Sequence, residues 1–243
     1  MSFMILSLSF LSAEEVYATF TVEAERSANL AFSASGIVND VKVELGSVVK
    51  KGQKLVSLEN SDVRSMVAIA KANLRTAQVS ANYAQKEYKR QSQVKHLLDA
   101  SAFDKFAQNR DVNNATVSQL KANLKYQEVL LKKTSLYAPF DGIIYEKLVE
   151  VGDVVSGQMI STILKIQSAH DVKLIVSFDE KYWDKVKKGA TFKYTLTGSD
   201  KSYEGKISKI YPTIENKTHK LRAEVKAKDI KVGLFGTGTI VTE

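Results

Sequence analysis

Cysteine is absent from the 243 residues. That excludes disulfide staples, thiol nucleophiles and cysteine-based zinc or iron–sulfur centres. It also removes the lipoprotein type of anchor, which needs a cysteine at its cleavage point. Histidine is scarce: His96, His170 and His219 stand far apart and leave little for a metal site or a proton relay. The four methionines (Met1, Met4, Met66, Met159) are equally scattered, so they offer no methionine-rich metal cluster either. No cysteine- or histidine-based metal site is therefore expected. Only two prolines occur, so long uninterrupted helices are permitted. No apolar run reaches the length of a transmembrane helix. No Gly-x-x-x-x-Gly-Lys-Ser/Thr phosphate loop is present. What remains is ordinary for a folded chain, with 44% hydrophobic and 26% charged residues. The net charge of +8 admits an acidic partner, but the lysines are spread along the chain, so nucleic-acid binding is not expected.

Residues 1–13, MSFMILSLSFLSA, hold an apolar stretch that ends in Ser12-Ala13 before Glu14-Glu15. This reads as a cleavable secretory signal, although no basic residue precedes the stretch and Leu11 is a poor residue three before the break. An ordinary apolar first strand is the alternative.

The strongest signal is a duplication. Gly36–Gly52 reads GIVNDVKVELGSVVKKG and Gly142–Gly157 reads GIIYEKLVEVGDVVSG. At an offset of 106 residues, nine positions match in register, including Gly36 with Gly142, Gly46 with Gly152 and Val48-Val49 with Val154-Val155. One skipped residue then aligns Gly52 with Gly157. Each copy alternates apolar residues at period two, turns at glycine and starts a second short strand. All six glycines are expected at structural turns. One copy is too small to bury both faces, so two copies imply a small β-sandwich with a pseudo-twofold axis. That is the pattern of a lipoyl or biotinyl carrier domain. In such carriers the halves are contiguous and a modified lysine sits at the joining hairpin. Here about 80 residues intervene and no Met-Lys-Met or Asp-Lys-Ala tip stands at the junction.

Glu59–Thr134 contains neither proline nor glycine. Asn60, Ser61 and Asp62 are candidate N-caps. A heptad seam runs through Val63, Ala70, Ala77, Ala84, Gln91 and Leu98, with Val67, Leu74, Ala81, Tyr88 and Lys95 between them. After a break near Asp99–Ser101, a second seam takes Phe103, Arg110, Val117, Leu124 and Leu131, alternating with Phe106, Asn113, Leu120 and Gln127. An alanine-rich seam suits two close antiparallel helices, each roughly 50–57 Å long at 1.5 Å per residue. Such an arm must stand in solvent or pack beside copies of itself. After Ile163 the chain alternates in short strand-like runs, with Lys181–Lys188 a short helical candidate. Together with the first strand these make a six-stranded β-barrel.

The expected fold is α+β, elongated and multi-module. An antiparallel α-helical coiled-coil hairpin is inserted between two halves of a lipoyl-like β-sandwich, and a six-stranded β-barrel follows. Its parts are a signal segment (1–13), the first barrel strand (14–33), sandwich half one (34–58), the hairpin (59–135), sandwich half two (136–165) and the rest of the barrel (166–243).

Four motifs then stand together: Ala34-Ser35-Gly36-Ile37-Val38, Gly46-Ser47-Val48-Val49-Lys50-Lys51-Gly52-Gln53, Ala138-Pro139-Phe140-Asp141-Gly142 and Gly152-Asp153-Val154-Val155. On these the chain resembles the membrane fusion proteins, the periplasmic adaptors of tripartite efflux pumps of the resistance–nodulation–division type. Leu234-Phe235-Gly236-Thr237-Gly238-Thr239 is similar to the family's closing barrel strand, with Phe235 where the family has proline. The resemblance implies a non-enzymatic subunit without cofactor, periplasmic and associated with the inner membrane. Its implied partners are an inner-membrane transporter, an outer-membrane channel and further copies of itself, six being one option. The family's hairpin-tip motif, Arg-x3-Leu-x6-Ser, is matched in spacing by Arg90, Val94 and Ser101, with valine in place of leucine. The resemblance makes these three residues the channel-docking tip; a solvated helix residue at Arg90 and a helix N-cap at Ser101 are the plainer roles. Because the chain stops after the last expected barrel strand, the family's membrane-proximal domain is expected to be missing or reduced to the termini. The barrel would then carry the transporter contact, and the surfaces at Lys181–Lys188 and Lys201–Lys209 are candidates for it. Two other functions stay open: an adaptor for an ATP-driven peptide or protein exporter, and a biotinyl or lipoyl carrier.

Overall fold

The computed structural model describes residues 14–97, 99–159 and 161–242. The expected signal segment and the seam position at Leu98 lie outside the described residues. In chain order the elements are β1 (Glu14–Ala24), β2 (Ser27–Leu30), β3 (Gly36–Val41), β4 (Val48–Val49), β5 (Lys54–Leu58), α1 (Ser61–Gln93) and α2 (Ala100–Lys133). Then follow β6 (Ser135–Tyr137), β7 (Gly142–Lys147), β8 (Val154–Val155), β9 (Leu164–Gln167), β10 (Asp171–Asp179), β11 (Thr191–Leu196), β12 (Ser202–Ile210), β13 (Lys220–Lys228) and β14 (Phe235–Thr242).

The duplicated segments form a sandwich of two four-stranded sheets, ordered β2-β9-β7-β4 and β6-β5-β3-β8. Each copy lends its two-residue strand to the other copy's sheet: β4 pairs with β7, and β8 pairs with β3. The hydrogen bonds repeat with the sequence. The Gly46 N–H donates to the Ile144 carbonyl at 2.8 Å, and the Gly152 N–H donates to the Val38 carbonyl at 2.9 Å. Within each turn a side chain accepts a backbone N–H, Ser47 from Glu44 at 2.9 Å and Asp153 from Glu150 at 2.8 Å. Even the register shift recurs, between Val38 and Asp40 in one copy and between Ile144 and Glu146 in the other. Val38, Leu55, Leu58, Ile144, Leu164 and Ile166 meet between the sheets and are fully buried. Neither copy can complete its sheet alone, so the two halves fold as one unit.

The six repeat glycines divide by physical role. Gly46, Gly52 and Gly152 have φ of +85°, +80° and +98°, where a Cβ costs about 1–2 kcal/mol. Gly36 and Gly142, expected at turns, instead open β3 and β7, and Gly157 follows β8. Close approach is what governs two of these three. A Cβ on Gly142 would run into the Gln167 carbonyl, and one on Gly157 into the Ser33 carbonyl.

The range expected for the first barrel strand, 14–33, also divides. β1 belongs to the barrel, whereas β2 pairs with β9 in the sandwich. The crossing is fixed at Glu25-Arg26: the Glu25 N–H donates to the Asp171 carbonyl, and the Ser168 N–H donates to the Arg26 carbonyl. The Arg26 guanidinium lies 4.9 Å from the Phe140 ring centroid. Beyond it, Leu30 and Phe32 enter the sandwich core.

The barrel closes in the order β1-β10-β13-β12-β11-β14. Phe20, Phe192 and Tyr194 cluster inside it with centroids 5.2–5.8 Å apart. Gly236 and Gly238 on β14 leave room for these rings; a Cβ at either would meet Phe20 or Phe192. Lys181–Lys188, expected to be helical, is a short 3-10 turn at Glu180–Tyr182 followed by irregular chain. Asp179 caps that turn through the Lys181 N–H, and Val186 then buries itself in the barrel, which leaves no slack for a longer helix.

The inserted hairpin has arms of 33 and 34 residues. At 1.5 Å per residue each is about 50 Å long. The seam is thin: α1 buries Ala70, Leu74, Ala77, Ala81 and Ala84, and the buried position on α2 is Phe103. Alanine lets the helices approach closely but removes little apolar area from water. At the base, the Asn60 side-chain amide donates to the Thr134 hydroxyl at 3.0 Å and ties the two arms. Asn60 occupies the N-cap position without capping. The Glu59 carboxylate accepts the Ser61 N–H instead, at 2.9 Å, and this bond holds Glu59 below the usual carboxylate range.

Candidate functional site at the hairpin tip

α1 ends at Gln93, and the chain reverses through one 3-10 turn, Lys95–Leu97, before α2 begins at Ala100. The cap of α2 is Asp99, whose carboxylate accepts the Ser101 N–H at 3.1 Å. Ser101 is therefore not the N-cap; it is the second helical residue, in the exposed first turn. Arg90 lies in the last turn of α1 with 72% of its side chain exposed. Its Nη1 is 3.2 Å from Glu87 Oε2, one turn back. Such an exposed pair is weak and readily exchanged for a partner's acceptor. Val94 is the C-cap of α1.

The reversal also displays a residue that the spacing motif did not mark. The Leu97 N–H donates to the Val94 carbonyl at 2.9 Å. Residues three apart eclipse one another in a 3-10 turn, so the two side chains share one side. Leu97 is 74% exposed and Val94 38%. The signal was present in the sequence as the Leu97-Leu98 pair between His96 and Asp99, three after Val94.

Beneath this surface the tip is braced by aromatic and cationic groups. Tyr88 packs on Phe103 with centroids 5.4 Å apart, and Lys95 Nζ lies 4.9 Å from the Phe103 centroid. Arg110, a polar interruption of the seam, places its guanidinium 4.0 Å from the Tyr88 centroid. It donates two hydrogen bonds to Asp111, at 2.8 and 3.0 Å. These bonds push Arg110 up and hold Asp111 below the usual carboxylate range. The arrangement stiffens the last turns of both arms while Arg90, Val94 and Leu97 stay in solvent.

A second polar centre sits on the sandwich. Lys147 Nζ contacts Glu44 and Glu150, both at 3.0 Å. The two acids are equivalent positions of the duplication, so one lysine bridges both turns and is raised above the ordinary lysine value. Among the described residues no group of three or more histidine and acidic side chains could hold a metal ion. No described helix is long and apolar enough to cross a membrane.

Residues 26–166 match the CzcB-like, barrel-sandwich hybrid domain family. The chain belongs to this family. A membrane protein of Enterobacter sp. is 26% identical over 78% of the chain and 73% of its own length. The macrolide export protein MacA of Yersinia pestis is 25% identical over 83% of the chain. The cobalt-zinc-cadmium resistance protein CzcB of Cupriavidus metallidurans is 26% identical over 83% of the chain. The chain spans 59% of the MacA relative and 39% of the CzcB relative. In three dimensions, a MacA–MexA chimera carrying the Pseudomonas aeruginosa MexA α-hairpin domain superposes with a TM-score of 0.78. The match covers 94% of this chain and 81% of the chimera at 22% identity. The membrane fusion protein Spr0693 of Streptococcus pneumoniae gives 0.74, over 93% of this chain and 98% of that one at 17% identity. The nested sandwich, hairpin and barrel are thus the architecture of membrane fusion proteins, and the family supports a role as an efflux adaptor.

Proposed function

We propose that this chain is a non-enzymatic adaptor in the periplasm, associated with the inner membrane. It bridges an inner-membrane transporter and an outer-membrane channel in a tripartite pump, works as a homo-oligomer, and serves the export of drugs or other small toxic compounds. The observation that carries this reading is the tip. A braced arm about 50 Å long ends in an exposed guanidinium, paired weakly with Glu87 one turn back, beside an exposed apolar pair. Arg90 offers several donors to carboxylates or backbone carbonyls of a partner's helical end. Val94 and Leu97 supply apolar contact next to it, and Leu97 compensates for the shorter side chain at position 94. Ser101, across the reversal, adds a hydroxyl to the same end. The barrel faces the transporter in this reading, with energy supplied by that transporter.

The test is accumulation of ethidium, of a macrolide and of a zinc salt in a strain lacking the gene. Complementation uses the wild type, Arg90→Asp and Leu97→Asp. Increased ethidium or macrolide in the deletion, corrected by the wild type and by neither variant, is the expected result. Both variant sites are exposed, so their circular dichroism should match the wild type. Full correction by both variants would remove the docking role, and accumulation of zinc alone would replace the cargo.

A further inference from the structure

Charge on the lower half of the hairpin is sorted onto one flank. Arg64, Lys71 and Arg75 of α1 and Lys121, Lys125 and Lys132 of α2 each directly follow a seam residue, and all six are exposed. At about 100° per residue they therefore lie on the same hand of their helix, and the antiparallel arms bring both sets to one side of the seam. Among the described residues the hairpin's ion pairs, Arg90 with Glu87 and Arg110 with Asp111, lie nearer the tip and involve none of the six. Glu128 is the acid on this flank, and Glu59 stands at its foot. The opposite flank steps through Met66, Asn73 and Ser80 on α1 and through Thr116, Asn123 and Leu130 on α2 without a charge.

The six cations also stand in register. The Asn60–Thr134 hydrogen bond sets the level of the arms at their base. Counted from it, Arg64, Lys71 and Arg75 are level with residues 130, 123 and 119 of α2. Lys132, Lys125 and Lys121 each lie two residues from those levels, an offset of about 3 Å that is the same at all three. The result is a ladder of three rungs, cation beside cation, spread over about 16 Å of the arm. Within the helices, Lys71 with Arg75 and Lys121 with Lys125 are like charges one turn apart as well. Every one of these juxtapositions is destabilising. A surface built only for solubility would intersperse both signs. The ladder weakens the free hairpin, and an anion lodged along the rungs would relieve it.

We infer that this flank binds a carboxylate-bearing polymer, the acidic peptide stems of the cell wall. The inference rests on the periplasmic adaptor reading and deepens it by naming a partner for the side of the arm. Charge complementarity carries the choice, since a run of cations concentrates a polyanion along it. The direction of the ladder narrows the partner. It runs along the arm, not across its end, so a bilayer could meet it only if the arm lay flat, and a bridging arm stands upright. Four of the six cations are lysines, each a single compact charge, which suits separate carboxylates spaced along a polymer. Bound there, the wall steadies the arm below its tip.

The test is sedimentation of the full-length protein with purified cell-wall sacculi. Wild type should pellet with the sacculi and be released as salt is raised. Lys71→Gln, Arg75→Gln, Lys121→Gln and Lys125→Gln together should lower the bound fraction about tenfold. The same variant should melt at a higher temperature in low salt, because the repulsion between rungs is gone. Four exposed lysines elsewhere, changed together as Lys50→Gln, Lys193→Gln, Lys217→Gln and Lys231→Gln, should leave binding within about twofold of wild type. Converting the sacculus carboxylates to amides should abolish wild-type binding, and this arm needs no variant. Wild type left in the supernatant, undiminished binding by the flank variant, or binding to amidated sacculi would each overturn the proposal. So would pelleting with phosphatidylglycerol vesicles in preference to sacculi, which would give the flank to a lipid surface. No transporter, channel or drug enters these measurements, so a failure here leaves the efflux reading standing, and a failure of that reading shows in the accumulation assay.

Discussion

The sandwich and the hairpin come from one continuous stretch of chain, yet they reach order by different routes. The sandwich interdigitates branched aliphatic side chains from both copies of a duplicated segment and exchanges short strands between them. The hairpin closes on alanines, one leucine and a few aromatic groups near its tip. The first arrangement resists change at almost every buried position. The second fixes helix separation but buries little per turn, so most of the arm's apolar surface remains available to something else. Of the two, the sandwich holds the larger buried apolar cluster, while the hairpin arms leave Ile69, Val79, Tyr83, Val112 and Tyr126 exposed.

The largest expected difference between them is in the response to truncation. Ile144→Ala, at a fully buried site between the sheets, should cost about 3 kcal/mol, while Leu74→Ala in the hairpin seam should cost less than half of that. Urea unfolding of both variants checks this, and equal losses would erase the contrast. Gly46→Val and Gly152→Val come next. Each forces a β-branched residue into positive φ and should lower stability by about 1–2 kcal/mol. Their similarity would test the pseudo-symmetry, since a loss at one turn only would mean that the copies are not energetically equivalent. Amide hydrogen exchange offers a finer comparison: protection in the middle of α1 should fall well below that of β3 and β7 in the free protomer. Slower exchange in α1 than in the sandwich would contradict the thin seam.

The smallest expected effect is that of Lys147→Met. The lysine is raised above its ordinary value by hydrogen bonds to Glu150 and then Glu44. A group with a raised folded-state pKa stabilises fully below its unfolded value and loses that contribution as pH rises through the folded value. The difference in denaturation midpoint between wild type and Lys147→Met should therefore be present at neutral pH and shrink above about pH 10.5. A difference that grew in alkali would reverse the assignment.

Much of this was legible in the residues, and the exceptions have physical causes. Duplication announces itself because turn glycines and alternating valines must recur where the same β-β unit recurs. The exchange of β4 and β8 between sheets is invisible to that comparison, since matched sequences do not say which sheet a strand joins. β2 looked like more barrel because its alternation continues that of β1. Only the hydrogen bonds of Glu25 and Ser168 reveal the crossing. Gly142 and Gly157 looked like turn residues, whereas their constraint is a neighbouring carbonyl, which local sequence cannot encode. At the tip, Arg90 and Val94 were marked by the resemblance to the family's motif, and Leu97 was not marked because its exposure depends on a one-turn reversal. Ser101 and Asp99 are both ordinary cap residues, and only the backbone geometry chooses Asp99.

The nested chain order also has a consequence for how the molecule can assemble in time. β5 and β6 are separated by the whole hairpin, and β1 and β10 by the hairpin and sandwich together. Closing loops of that length is entropically unfavourable in an open chain. Once the two arms zip from their local reversal, however, their feet at Asn60 and Thr134 stand together, and β5 and β6 become near neighbours. Once the sandwich forms, Glu25-Arg26 and Ser168 are held side by side, and β1 and β10 become near neighbours in turn. The fold works like nested parentheses: each inner pair, when closed, turns the next outer pairing from remote to adjacent.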